Sequence, residues 1–226
     1  MEPRKITRQN VSFEVAEHIR EQIFSGRLPF GSKVPQDAIA ESLGVSRLPV
    51  REALIALESD GMVTTQSHRG TFVADISAED LLDHYKICGV IHGLAAGRAA
   101  HVISAEQLAE LEATNARMLE ETDPAKAYEL HWNFHQSINR IGGSRRLRAV
   151  LHQLSHQLPH SLFTSVEPAD IGAGAAHGAI LAALRDGDAD AASARSREHL
   201  EREGELVVGR LCEAGLWGEP AADGSR

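Results

Sequence analysis

Residues 43–54 have the sequence LGVSRLPVREAL, and this stretch decides the fold of the N-terminal part of the chain. Gly44 permits a tight turn at which two helices meet at a steep angle, so that the start of the second helix is exposed. Ser46 is expected to cap that helix, and Pro49 falls in its first turn, where a missing N–H costs little. The pattern is typical of a helix-turn-helix, whose second helix enters the major groove of DNA.

Two arginines of this second helix are candidate base-reading residues. Arg47 and Arg51 are four residues apart and therefore project from one face of the helix. An arginine at such a position can bond bidentately to O6 and N7 of guanine. Ser46 and the first-turn N–H groups can hold a phosphate, and Leu48 lies beside them. Either arginine alone would suggest an ordinary solvated helix face, whereas the whole context favours DNA recognition.

The neighbouring elements complete a winged helix-turn-helix. A helix over 11–24 is predicted by apolar residues at every fourth position, namely Val11, Val15, Ile19 and Ile23. A short helix is expected over 36–43, before the Gly44 turn. After the recognition helix, two short β-like runs at 62–65 and 71–74 indicate a hairpin.

Beyond Asp75 the pattern predicts only long helices. We expect six of them, at about 77–102, 104–121, 124–142, from 144 to a break near Pro159 or Pro168, 175–186 and 188–211. The predicted fold is therefore mainly α, with a winged helix-turn-helix domain at 1–75 and an all-α helical-bundle domain at 76–216. Residues 217–226 are expected to be a flexible tail.

The composition narrows the class of protein. The net charge is −9, but residues 1–74 are neutral overall and residues 75–226 carry all the excess acid, so DNA binding depends on local placement of arginine. The two cysteines, Cys88 and Cys212, form no C-x-x-C pair, which argues against a disulfide framework. With no apolar stretch long enough to span a bilayer, we expect a cytoplasmic protein without a membrane partner.

Four of the twelve histidines have the placement of metal ligands. His131 and His135 are four residues apart, so both imidazoles share one helix face. His177 and His199 lie on the last two predicted helices, and His177 shares a face with apolar residues that should point inward. Metal sites in helical bundles are built from such residues. Spacing alone leaves open the alternative that these are packed or solvated histidines.

The first domain resembles the DNA-binding domain of the GntR family. The resemblance covers residues 11–75 and includes the recognition helix GVSRLPVREAL, the following LESDGMV and the wing segment RGTFV. It implies a homodimer that binds a palindromic double-stranded operator. Arg69 and Gly70, at the tip of the hairpin, are then placed to reach a minor groove or a phosphate. Some members carry an arginine near the start of the second helix, where this chain has Gln36 and Asp37.

The second domain resembles the FadR-type subgroup of that family, which carries an all-helical domain called FCD. The segments that carry the resemblance are HWNFH at 131–135, AH at 176–177, and GD at 187–188 followed by His199. It implies a divalent metal in the bundle, beside an effector pocket, with the four histidines as ligands. Many members have Asp where this chain has His131, and an all-imidazole set suits zinc or nickel.

The expected effector pocket departs from the family pattern. Many members carry an Arg and a Glu in the first helix of this domain, and our register places Cys88 and His92 there. In the family that arginine can contact a carboxylate group of the ligand. Its absence here argues against the organic acid that is the family's usual effector.

The leading hypothesis is a transcriptional regulator, a repressor by expectation, controlled by a small-molecule effector, with an organic acid as one candidate. Two alternatives remain: a metal-sensing regulator in which the ion is the signal, and a helical metalloenzyme. The enzyme hypothesis explains the histidines but not the recognition helix, and the sequence has no G-x-S-x-G or H-E-x-x-H motif.

Overall fold

A computed structural model describes residues 8–159, 162 and 173–217. They form two compact units, one ending at Ser77 and joined by Leu216 and Trp217, the other spanning Ala78–Gly215. Of the predicted tail at 217–226, only Trp217 is among the described residues, and its indole N–H donates to the carbonyl oxygen of Ile76. None of the described helices combines the length and the apolar character needed to cross a membrane.

The first unit is a winged helix-turn-helix, as predicted. Its elements are α1 (Arg8–Phe24), α2 (Gln36–Ser42), α3 (Arg47–Ser59), β1 (Val63–Gln66) and β2 (Gly70–Val73). Gly44 has a φ of 64°, in the left-handed region that the turn between α2 and α3 requires. The apolar stripes of α1 and α3 form the core, with six buried residues: Val15, Ile19, Ile23, Val50, Leu54 and Leu57.

An ion pair and a hairpin hold the recognition helix in place. The guanidinium of Arg20 is buried and contacts Asp60 at 2.7 Å, which ties α1 to the end of α3. The strands β1 and β2 pair antiparallel from Val63 opposite Val73 to Gln66 opposite Gly70. Each strand is shifted by one residue from its prediction.

The second unit contains six described helices. They are α4 (Ala78–Ala100), α5 (Ala105–Glu120), α6 (Pro124–Gly142), α7 (Arg145–Ser155), α8 (Ala173–Asp186) and α9 (Ala189–Glu213). Side-chain caps explain where four of them begin: Ser104 for α5, Asp123 for α6, Ser144 for α7 and Asp188 for α9. The helix predicted from 144 ends at Ser155, before Pro159.

Close packing of α4 on α9 and an apolar layer organise this bundle. A Cβ atom added to Gly93 would lie 2.7 Å from the carbonyl oxygen of Ser193, so the two backbones meet at a distance that only glycine permits. Buried residues of five helices form the apolar layer, among them Ala96, Leu111, Phe134, Ile180, Leu184 and Ala192. The layer lies beside the histidines described below, because Phe134 stacks on His177 with ring centroids 4.0 Å apart.

Candidate functional site

The start of α3 presents the predicted DNA-reading residues on the surface. Arg47 and Arg51 are both exposed, and the side chain of Leu48 beside them is 52% exposed. The opposite face is buried, with Val50 and Leu57 each 0% exposed. The same helix therefore anchors itself in the core and leaves a cationic face with one apolar side chain free.

Ser46 does not cap α3 in the manner predicted. It occupies the N-cap position with an extended backbone, but its side chain makes no capping hydrogen bond. The physical reason lies three residues on, because Pro49 has no N–H for the serine oxygen to accept. The exposed hydroxyl and the first-turn N–H groups of α3 therefore remain available to an anion.

Asp37, which the sequence analysis named only as a departure from the family pattern, forms an ion pair on this surface. Its Oδ1 atom lies 2.7 Å from Nε of Arg47, and both side chains are about three-quarters exposed, at 73% and 76%. The pair connects α2 with α3. Since the carboxylate contacts Nε, the outer edge of the guanidinium stays free to meet two acceptors at once.

The predicted wing residues lie at the tip of the hairpin. Arg69 is exposed, and its guanidinium carbon lies 5.8 Å from the centre of the Phe72 ring. Gly70 has a φ of 107°, and a Cβ there would come within 2.9 Å of Cε of Lys33. Glycine is thus required by both conformation and space.

The second unit brings the four predicted histidine ligands together. His131 and His135 lie on α6, His177 on α8 and His199 on α9, and each side chain is at most 3% exposed. One nitrogen from each ring lies within 4.8 Å of those from the other three. Two ligands bound at about 2.1 Å to one ion cannot be more than roughly 4.2 Å apart. A shift of a few tenths of an ångström would therefore bring all four into coordination range.

Hydrogen bonding prepares one of these rings as a ligand. The Nδ1–H group of His177 donates to Oδ1 of Asn115 at 3.1 Å, which leaves its Nε2 atom with a lone pair. This atom lies 3.2 Å from Nε2 of His135. Among the described residues, no partner is found for Nδ1 of His131, Nδ1 of His135 or either ring nitrogen of His199. Buried nitrogens without partners are what a metal ion would satisfy, so the residues present fit a divalent ion.

Three of the rings, those of His135, His177 and His199, are held neutral, which is the form that binds metal. Burial, and after it the neighbouring His131, lowers the pKa of His199 to about 4. Burial and the same neighbour also hold the pKa values of His135 and His177 well below the ordinary value. Charging any of these rings in a dry interior beside the others is unfavourable.

A buried carboxylate and an amide flank the cluster, and neither was predicted. Glu203 is 6% exposed, and its Oε2 atom lies 3.4 Å from Nε2 of His131. Asn139 is 2% exposed, and its amide N–H donates to Nδ1 of His92 at 3.3 Å. Both follow a ligand by four residues on the same helix, His199 and His135, and that spacing could have revealed them.

The two predicted pocket residues have different surroundings. The ring of His92 meets that of His135 edge-on, with centroids 5.6 Å apart, and burial lowers its pKa to about 4. Cys88 is buried beside His84, with Sγ 3.6 Å from Nε2. Burial raises the pKa of this thiol to about 12. His92 thus adjoins the histidine cluster, whereas the described contact of Cys88 is with His84.

A groove between α8 and α9 reaches the cluster from outside. Its volume is about 480 Å³, and His199 forms part of its lining. The rim carries two arginines and three glutamates: Arg195, Arg202, Glu198, Glu201 and Glu205. With two positive and three negative side chains, the rim is slightly negative and does not favour an anion.

One face of α4 exposes apolar side chains. Ile87, Val90 and Leu94 are 52%, 58% and 48% exposed, and their spacing of three and four residues places them in one stripe. A neighbouring face of α4 packs on α9 through Gly93. The stripe is therefore a surface apart from the bundle core.

Comparison with known proteins identifies both domains. Residues 12–73 match the family described as bacterial regulatory proteins, gntR family, and residues 83–202 match the FCD domain. An uncharacterized HTH-type transcriptional regulator of Mycobacterium tuberculosis is 33% identical over 147 residues, which make up 65% of this chain. The match spans only 60% of that relative's length.

Two further proteins resemble the chain over most of its length. A protein of Paenarthrobacter nicotinovorans, named as a probable D-xylose utilization operon transcriptional repressor, is 29% identical over 202 residues, 87% of this chain and 88% of that protein. The solved structure of E. coli McbR/YncC has a TM-score of 0.63 at 21% identity, and the match covers 88% of this chain and 98% of that one. At this level of identity, the likeness to the E. coli structure shows the fold alone.

Proposed function

Because the chain belongs to the gntR family of bacterial regulatory proteins and carries an FCD domain, we propose that it is a homodimeric repressor whose helical domain holds a divalent metal ion and a small-molecule effector. Family membership itself makes it a DNA-binding transcriptional regulator, not an enzyme. The observation that carries the finer proposal is the convergence of four buried imidazoles in its FCD domain.

In this proposal, α3 reads the operator in the major groove. Arg47 and Arg51 each contact a guanine, and Leu48 packs against a base edge between them. The hydroxyl of Ser46 and the first-turn N–H groups contact a phosphate. Arg69 and Gly70 bring the wing to the adjacent backbone or minor groove. Five of these side chains are exposed, and the opposite face of α3 is buried, which supports these roles: Ser46, Arg47, Leu48, Arg51 and Arg69.

The partner in the dimer is a second copy that covers the apolar stripe of α4. A single head contacts too few base pairs to compete with the non-specific sites of a genome, whereas two heads on a palindromic operator double the contacts. Ile87, Val90 and Leu94 supply an apolar strip along about two turns of helix. The strip can pair with its own copy across a two-fold axis.

His131, His135, His177 and His199 are the proposed metal ligands, with zinc or nickel as the ion that the all-imidazole set suits. When bound, the ion supplies a fixed positive charge in the bundle and ties three helices together. Asn115 positions His177 by accepting its Nδ1–H. Glu203 balances part of the ion's charge from beside His131.

The effector controls DNA binding only if its affinity differs between the DNA-binding and the released arrangement of the dimer. The assignment as a repressor agrees with the name of the Paenarthrobacter relative. The alternative in which the ion itself is the signal predicts that adding or removing metal alone switches operator binding.

The test begins with selection of an operator from random DNA, followed by fluorescence anisotropy at fixed salt with zinc-loaded and chelator-treated chain. We expect a palindromic site bound at least about a thousandfold more tightly than scrambled DNA. Equal affinity for the two DNAs would refute operator recognition. Release by chelator alone would favour the metal-signal alternative.

A further inference from the structure

The four imidazole rings of the cluster surround one point at nearly equal distances. The six distances between their centroids all fall between 4.8 and 5.2 Å. The centroid of an imidazole lies on the line of its Cβ–Cγ bond, so rotation about that bond turns the nitrogens and leaves the centroid in place. Packing therefore fixes where the rings lie, and contacts at the outer nitrogen decide which nitrogen each ring turns inward.

Two of the rings have an oxygen atom beside one nitrogen and none beside the other. The Nδ1–H group of His177 donates to Oδ1 of Asn115, and its Nε2 atom lies 3.2 Å from Nε2 of His135. In His131 the roles of the two nitrogens are exchanged. Its Nε2 atom lies 3.4 Å from Oε2 of Glu203, and its buried Nδ1 atom has no partner among the described residues. A neutral imidazole has one N–H donor and one lone pair, so the nitrogen beside the carboxylate is the one that carries the proton.

Glu203 lies outside the set of ligand atoms and needs a donor of its own. It does not belong to the group of four nitrogens within 4.8 Å of one another. It is buried, Oε2 has no hydrogen-bond partner, and the described residues of the second unit include no buried lysine or arginine. A carboxylate in a dry interior is costly unless a donor and a positive charge meet it. The N–H of His131 supplies the donor, and an ion on the far side of that ring supplies the charge.

We propose that Glu203 is a positioning residue of the metal site: it accepts the Nε2–H of His131, so that this ring presents Nδ1 to the ion. The inference rests on the proposed metal site. A carboxylate in this position fixes the tautomer and the rotation of the ring, and it makes the ligating nitrogen more basic. If His131 bound through Nε2 instead, its proton would lie on Nδ1 and the carboxylate would lose its donor.

The experiment uses the full chain, labelled with ¹⁵N in its histidines and loaded with zinc. Long-range ¹H–¹⁵N NMR spectra distinguish the metal-bound nitrogen from the protonated nitrogen in each ring. Competition with a chelator at fixed pH measures the affinity for zinc. Glu203→Leu removes the acceptor, Glu203→Gln keeps an acceptor oxygen without the charge, and the exposed Glu213→Gln on the same helix is the control. The melting temperature of each metal-free protein shows whether the variant is folded.

We expect zinc on Nδ1 and the proton on Nε2 of His131 in the wild type and in Glu213→Gln. Zinc affinity should fall by about 10–100-fold in Glu203→Leu, with Glu203→Gln between this variant and the wild type. Glu203→Gln should keep the wild-type tautomer, which a merely structural role for the carboxylate would not require.

Zinc on Nε2 of His131 in the wild type would overturn the proposal, and so would wild-type affinity in both Glu203 variants. If Glu203→Leu does not fold, unchanged affinity in Glu203→Gln has the same consequence. These results leave the metal site itself intact. A wild type that binds no zinc would instead refute that site, and this inference with it.

Discussion

Nε2 of His135 and Nε2 of His177 lie 3.2 Å apart, although the two residues are 42 positions apart in the sequence. Asn115 accepts the Nδ1–H of His177, so a lone pair of His177 faces the ring of His135. Two lone pairs at this distance repel each other unless a proton or a metal ion lies between them. The burial of both rings and the two further histidines beside them favour the ion.

Loss of either reading arginine should weaken operator binding without unfolding the protein. Arg47→Ala and Arg51→Ala should each cost about 1–3 kcal/mol of specific binding, because each removes one bidentate base contact. Both side chains are exposed, so the melting temperature should stay the same. The measurement is anisotropy on the selected operator, with Arg146→Ala on α7 as the control. Unchanged affinity in both α3 variants would show that α3 does not read the operator.

A charge placed in the apolar stripe of α4 should break the dimer. Val90→Glu and Leu94→Glu should shift the protein to monomer at micromolar concentration, because the dimer would have to bury carboxylates without partners. Leu119→Glu, at a residue 62% exposed on α5, is the matched control and should leave the dimer intact. Analytical ultracentrifugation measures all three. A wild type that is monomeric with and without DNA would refute the dimer.

Adding one methyl group at the α4–α9 contact should destabilise the second unit. Gly93→Ala would place Cβ 2.7 Å from the carbonyl oxygen of Ser193, and we expect a loss of about 1–3 kcal/mol in the free energy of unfolding. Gly209→Ala on α9 is the control, since nothing lies within 4 Å of its added Cβ. The free energy of unfolding of Gly209→Ala should rise by about 0.5–1 kcal/mol. Urea denaturation of both variants should show opposite signs, and equal effects would contradict the close packing.

Metal-free protein should lose stability as the pH falls from about 6.5 towards 4. Burial holds the pKa values of five histidines below the ordinary value of about 6.5 that applies in the unfolded chain, so acid protonates the unfolded chain first. The five are His84, His92, His135, His177 and His199. In this window each histidine lowers the free energy of unfolding by up to about 1.4 kcal/mol for every pH unit of acidification, and it has no effect above about pH 7.5. The free energy of unfolding, measured by urea denaturation with chelator at each pH, should depend less steeply on pH in His199→Gln than in the wild type. The exposed His101→Gln should show the same dependence on pH as the wild type. A flat profile between pH 7.5 and 5 would contradict the burial of neutral imidazoles.

Much of the fold could be predicted because local signals agree with the tertiary structure. The apolar period of α1, the Gly44 turn and the alternating hairpin runs each act within a few residues, and the structure moves their ends by at most a few positions. The four histidine ligands could be placed for the same reason, since the spacing of His131 and His135 fixes one helix face.

The rest of the site depends on contacts between distant residues. Asn115 lies on α5, where no pattern distinguishes it from other polar residues, and its role exists only because α8 brings His177 against it. Glu203 looks like one of many surface glutamates until the packing of α9 buries it. Ser46 has the sequence of a helix cap, yet Pro49 removes the N–H that it would accept.

The central claim, that His131, His135, His177 and His199 hold one divalent ion, is tested most directly by melting chelator-treated protein with and without zinc, beside elemental analysis. At a free zinc concentration about a hundredfold above the dissociation constant, the free energy of unfolding should rise by about 2.7 kcal/mol. For a chain of this size, that corresponds to a rise of roughly 5–10 °C in the melting temperature. We expect about one ion per chain, loss of the shift in His177→Ala, and a normal shift in the exposed His101→Ala. No shift in the wild type, with less than about 0.1 ion per chain at that excess, would contradict the account.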